Sequence, residues 1–147
     1  MVEYLEIKEE WVEVNEPQQE YFGSGSLNEL TYKIIGICFE VHNELGCGFL
    51  EVVYKEAIEY ELRKQNISFV REKKYEIKYK DTILAHGYSA DFIIEDLVIL
   101  EVKAQQGVVD ANIKQTINYL AASECPIGLL INFGEKSLKY KRIILTK

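Results

Sequence analysis

The segment Asp91-Phe-Ile-Ile-Glu-Asp-Leu-Val-Ile-Leu-Glu101-Val-Lys103 constrains this chain more than any other. Two apolar, β-branched runs are joined only by Glu95-Asp96, which predicts paired strands over Ala90–Ile94 and Leu97–Ala104. Alternate side chains of a strand share a face. Ile99, Glu101 and Lys103 therefore point one way, and Val98, Leu100, Val102 and Ala104 the other. Two opposite charges then project from a strand that otherwise reads as buried. Burying charge is costly unless the group is paired or binds a metal.

The rest of the pattern surrounds that hairpin with helices. Leu30, Ile34, Ile37, Val41 and Leu45 recur at three- and four-residue spacing and predict an amphipathic helix over 27–45. Gly46-Cys47-Gly48 breaks it, and a second helix runs from about Leu50 to Gln65 with Val53, Ala57, Tyr60 and Leu62 near one face. Ile67 to Tyr79 reads as a strand, Lys80-Asp81 as a turn, and Ile83 to Tyr88 as another strand. Asp110 to Ser123 is helical. Ile127 to Phe133 is a continuous apolar run suited to a central buried strand, and Leu138 to Leu145 a last, more exposed one. The expected order is α-α-β-β-β-β-α-β-β, an α/β (α+β) domain with a central mixed β-sheet flanked by helices.

Charge divides the 147 residues into two parts. Residues 1–26 hold Glu3, Glu6, Glu9, Glu10, Glu13, Glu16 and Glu20 against Lys8, so they carry −6 of the net −7. They end in Gly23-Ser24-Gly25-Ser26, which is flexible-linker chemistry. They read as an acidic arm, natural or added, that could contact the domain or another protein. Its glutamates could also imitate a phosphate backbone and cover a basic surface. Residues 27–147 are nearly neutral, with basic clusters at Arg71, Lys73, Lys74, Lys78, Lys80 and at Lys136, Lys139, Lys141, Arg142. Either cluster could meet phosphates, although solvated strand faces explain the spacing equally well. No apolar run is long enough to cross a bilayer. Cys38, Cys47 and Cys125 form no metal-ligand motif and read as reduced thiols, so the expected compartment is the cytoplasm.

Four elements carry chemistry. Asp91 and Glu101 offer hard oxygen ligands suited to Mg²⁺ or Mn²⁺, with Lys103 able to hold a nucleophilic water. A Glu101–Lys103 surface ion pair is the plainer alternative. Glu51, in the first turn of the second helix, could act at a site or simply favour the helix dipole. Gln115 and Tyr119 share one helix face at i, i+4 spacing. His42, three residues before its helix end, reads as a helix-end contact sooner than as a ligand.

Together these residues resemble a known family. Glu40-Val-His-Asn-Glu-Leu-Gly46-Cys-Gly48-Phe-Leu-Glu51-Val-Val-Tyr54 is similar to the signature of the small bacterial GxxExxY proteins. Asp91, Glu101-Val-Lys103 and Leu129-Leu-Ile-Asn-Phe133 stand where those proteins carry their later motifs. The likeness spans residues 27–147 and leaves out the arm. That family is placed in the PD-(D/E)xK nuclease-like superfamily, and Gln115 and Tyr119 resemble the Q-x-x-x-Y element of its RecB and Cas4-like branch. The resemblance implies a restriction-endonuclease-like core and Mg²⁺-dependent hydrolysis of nucleic-acid phosphodiesters, with DNA placed ahead of RNA. It implies Glu51, Asp91 and Glu101 as metal ligands, Lys103 as the water-activating residue, and Gln115 and Tyr119 as orienting groups. Cys47 stands where relatives usually have Pro, and Ser89 where many have Arg before Ala-Asp. A non-catalytic module on the same fold, binding nucleic acid or protein, is the competing expectation.

Overall fold

The computed structural model describes residues 6–7, 11–14, 26–107 and 110–146. Most of the acidic arm and the Gly/Ser link at 23–25 lie outside the described residues. The elements are β1 (Glu6–Ile7), β2 (Trp11–Val14), α1 (Ser26–Leu45), α2 (Glu51–Lys64), β3 (Phe69–Tyr75), β4 (Lys78–Tyr79), β5 (Thr82–Ile83), β6 (Tyr88–Ile94), β7 (Val98–Lys103), α3 (Asp110–Ser123), β8 (Ile127–Asn132) and β9 (Leu138–Thr146).

The main sheet runs β1-β9-β8-β7-β6-β3, with β2 also pairing β9. Only β7 and β8 run parallel, Glu101 lying opposite Leu130, because α3 crosses over between them. All other described pairs are antiparallel, so the sheet is mixed as expected. Two strands from the arm line the outer edge of β9, with Glu13 in register with Lys139.

Helices cover both faces. Ile34, Ile37, Cys38 and Val41 of α1 and Tyr54, Ile58 and Leu62 of α2 pack on Val98, Leu100, Val102, Leu129 and Ile131. Ile113, Tyr119 and Leu120 of α3 pack on Ile99, Leu130 and Ile143. The alternation read along β7 therefore holds, with Ile99, and so Glu101 and Lys103, on the α3 side. Every residue of β8 is buried, as its unbroken apolar run requires.

Three local expectations change. The inward face of α2 is Tyr54, Ile58 and Leu62, while Tyr60 is 65 % exposed. The Tyr54 ring stacks on Phe133 at 4.6 Å, and its hydroxyl donates to the Gly46 carbonyl at 2.6 Å and accepts from the Phe49 amide. A buried tyrosine with both needs met wins over a face judged by hydropathy alone. The strands expected over 67–79 and 83–88 are both cut short: the first ends at Tyr75, residues 84–87 are not strand, and a separate β4–β5 hairpin pairs Lys78 with Ile83 and Tyr79 with Thr82. Finally, β9 is less exposed than its charges suggest, since Leu138, Tyr140, Lys141 and Ile143 are buried.

Behind the end of β7, Asn132 clamps the chain leading to α3. Its Oδ1 accepts from the amides of Gln105 and Gly134, and its Nδ2 donates to the Gln105 carbonyl and to Glu135. Gly134 is required here, because a Cβ would collide with the backbone nitrogen and oxygen of Gln105. Gly134→Ala is expected to destabilise the fold by about 1–3 kcal/mol, read as a lower urea midpoint. An unchanged midpoint would mean that the two loops are not locked together.

Candidate active site

Asp91 and Glu101 meet through the sheet itself. Phe92 and Leu100 form a ladder pair, which brings Asp91 opposite Glu101 one step further out. There the carboxylates join the hydrogen-bonding scheme. The Asp91 amide donates to Glu101 Oε1 at 3.0 Å, and the Val102 amide donates to Asp91 Oδ2 at 2.8 Å. Each acid thus caps the partner strand's backbone. Asp91 is 7 % exposed and Glu101 2 %.

Burial and the neighbouring Asp91 charge push the Glu101 carboxyl up to about 8, against the opposing pull of the Asp91 amide and Lys103. Two carboxylates held together in a dry place need a proton or a cation between them. Lys103 lies two residues along the same face, half-buried, and acts on Glu101 through its charge.

A second lysine, which sequence reasoning did not single out, completes the charge pattern. Lys55 Nζ lies 2.8 Å from Asp91 Oδ1 and 3.4 Å from Glu72 Oε1. Burial alone would pull its ammonium down, but the hydrogen bonds and charges of Asp91 and Glu72 outweigh that and leave it raised. Glu72 takes a positive φ of 52° and is skipped in the β3–β6 ladder, between the Arg71–Phe92 and Lys73–Ala90 pairs. Glu72, Asp91 and Glu101 therefore lie at one level across three adjacent strands. The one hint in the sequence is the i, i+4 spacing of Glu51 and Lys55, which puts both on one face of α2.

The remaining expected residues come from α2 and α3. Glu51 begins α2, one turn before Lys55, and is half-buried. The Tyr54 hydroxyl ties down the loop that delivers it. Tyr119 is buried against Tyr88, with ring centroids 4.7 Å apart. Burial, then the charges of Glu101 and Asp91, push its phenol up to about 12, so it stays protonated beside them. Gln115 is exposed one turn earlier on α3. His42 is apart from this group: its Nε2 donates to the Glu135 carbonyl at 2.9 Å, a long-range tie to the turn between β8 and β9 and not the expected contact at its own helix end.

Among the described residues, no three His, Cys, Asp or Glu side chains form a cage for a metal ion. Two carboxylates nevertheless suit Mg²⁺ or Mn²⁺, which keep waters and take further oxygens from phosphate. The raised Glu101 carboxyl fits the same chemistry, because a cation would relieve its repulsion from Asp91. Lys55→Met removes the described cation nearest Asp91. It is expected to lower metal-free stability by about 1–3 kcal/mol, and a urea midpoint equal to the parent's in EDTA would show that Lys55 does not support the site.

A family model described as the PD-(D/E)XK nuclease superfamily matches residues 28–143. No curated protein and no solved structure matches the chain.

Proposed function

Because the chain belongs to the PD-(D/E)XK nuclease superfamily, we propose that it is a metal-dependent nuclease in which Asp91 and Glu101 hold the divalent ion. Its mixed sheet between helical layers is consistent with a restriction-endonuclease-like fold. The observation that carries the reading is the reciprocal pair, two buried carboxylates fixed to each other's backbone with Lys103 on the same face. When bound, Mg²⁺ or Mn²⁺ would supply a water of lowered pKa and a counter-charge for phosphorus. The chain's own groups do the rest. Lys103 orients the attacking water and offsets phosphate charge, Glu51 adds a third acidic group from α2, and protonated Tyr119 with Gln115 orients the site from α3. Within the superfamily we assign the chain to the GxxExxY proteins of the RecB and Cas4-like branch, on Gly48, Glu51 and Tyr54 and on Gln115 and Tyr119.

The test is cleavage of labelled single- and double-stranded DNA and RNA with Mg²⁺, Mn²⁺ or EDTA. We expect metal-dependent cutting, with DNA the first substrate to try, and its loss in Asp91→Asn. One observation favours a second reading, a binding module without catalysis. Lys55 already satisfies Asp91, as a network kept for structure would require. Metal-independent binding with no cleavage of any substrate would select that alternative.

A further inference from the structure

The β4–β5 hairpin is inserted between the two strands that carry Glu72 and Asp91, and it is exposed from Glu76 through Gly87. An exposed turn is ordinarily polar, yet this one is not. Ile77 is 37 %, Tyr79 56 % and Leu84 42 % exposed. The Leu84 amide donates to the Ile77 carbonyl, and Tyr79 pairs with Thr82. Alternation then puts Ile77, Tyr79, Thr82 and Leu84 on one face. Beside that face stand Lys73, Lys74 and Lys80, while Lys78 alternates to the opposite face with Ile83, itself 52 % exposed; none of the four lysines is in an ion pair among the described residues. Lys80 lies over the Tyr79 ring at 5.3 Å, and Lys73 over Tyr75 at 5.6 Å.

The hairpin is held at a fixed place relative to the acids. A Cβ on Gly87 would collide with the Tyr75 carbonyl, so the two ends of the insertion touch. Its base pair, Tyr75 with Tyr88, is three ladder steps from Asp91, or about 10 Å. A tyrosine row covers that gap, with Tyr75 to Tyr88 at 5.7 Å and Tyr88 to Tyr119 at 4.7 Å. Tyr119 in turn senses Glu101 and Asp91.

We propose that this hairpin is a substrate-binding wing that holds unpaired nucleic acid, with Tyr79 stacking on a base and Lys80 meeting a flanking phosphate. The proposal rests on the nuclease reading and adds a strand preference to it. Stacking on an aromatic ring tolerates any base, and unpaired lysines beside the ring supply charge for the backbone. A paired base has both faces covered by its neighbours, so an exposed ring favours an unpaired segment. Lys80 needs only to move off the ring face to lie beside a phosphate.

The experiment measures binding of a labelled single-stranded DNA, the same sequence as RNA, and the blunt duplex, in EDTA and across a salt series. The parent should hold the single strands more tightly than the duplex. Tyr79→Ala should weaken single-strand binding about five-fold or more, while Tyr79→Phe keeps it. Lys80→Ala should flatten the log-log salt slope by about 0.7. Lys64→Ala, at the far end of α2, should leave the strand preference unchanged. If the parent cuts nucleic acid and these variants bind like the parent, the wing is overturned and the nuclease reading stands. If the parent neither binds nor cuts, both fall. Equal loss in Tyr79→Phe and Tyr79→Ala overturns the stacking role. A change of association state in Tyr79→Ala, with binding intact, would make the face a protein contact and also overturn the proposal.

Discussion

Lys103→Ala is expected to lower metal-dependent cleavage by about 10²–10⁴-fold, the range for losing a positioned acid–base group, while the protein stays folded. The fold should survive because the backbone at this position is held from outside. The Lys103 carbonyl accepts from the Phe133 amide at 2.8 Å, and Asn132 clamps Gln105 two residues further on. The ammonium itself does two things. It lies on the Glu101 face of β7, where the proposed nuclease reaction would place its attacking water and phosphate. It also pulls the Glu101 carboxyl downward, against burial and Asp91. Without it Glu101 should hold its proton more firmly, so Mn²⁺ affinity at neutral pH should fall together with the single-turnover rate. Calorimetric Mn²⁺ titration beside single-turnover cleavage checks both. A Lys103→Ala protein that cuts at the parent's rate would remove Lys103 from the reaction.

The second large effect is on stability against pH. Glu101 titrates near 4.5 in an unfolded chain and near 8 in the folded, metal-free protein. Between those values the folded state keeps a proton that the unfolded state has lost. Stability from this group is thus complete below about 4.5 and is lost as pH rises through about 8. The slope approaches about 1.4 kcal/mol per pH unit for one proton, which accumulates to a few kcal/mol. Lys55 does not interfere, since its raised ammonium stays charged throughout that window. Urea midpoints in EDTA from pH 5 to pH 9 should therefore fall, and Glu101→Gln should flatten the fall. Mg²⁺ should restore most of the loss at pH 8, because the ion then replaces the proton. A parent midpoint that stays level across this range would mean that Glu101 ionises as easily folded as unfolded.

Much of the architecture was legible because it is periodic. The spacing of Ile34, Ile37 and Val41 gives α1, the run from Ile127 gives the buried β8, and strict alternation assigns Glu101 and Lys103 to one face of β7. What escaped depends on contacts between distant residues. Glu72 sits among Arg71, Lys73 and Lys74 and reads as part of a basic cluster. Only its left-handed backbone and its level beside Asp91 bring it into an acidic row. Lys55 is an ordinary helical lysine until α2 is docked with Tyr54 inward, and that rotation is set by a hydroxyl bonded to Gly46, which hydropathy does not register. The hairpin was half legible, since Lys80-Asp81 marks its turn, but its separation from the main sheet was not. Its residues continue the β-type pattern of β3, and only the collision at Gly87 marks where the main sheet stops.

The reciprocal bonds between Asp91 and Glu101 also give the site a built-in reporter. The Asp91 and Val102 amide protons are shielded by carboxylate oxygens in place of strand carbonyls. A ligand that draws on those oxygens must alter the shielding of these two protons before it alters any other part of the ladder. Their resonances and solvent-exchange rates would then follow occupancy directly, even in a variant that can no longer turn over. Strand pairing and ligand occupancy share the same atoms here, so a spectroscopic measurement of one reads the other.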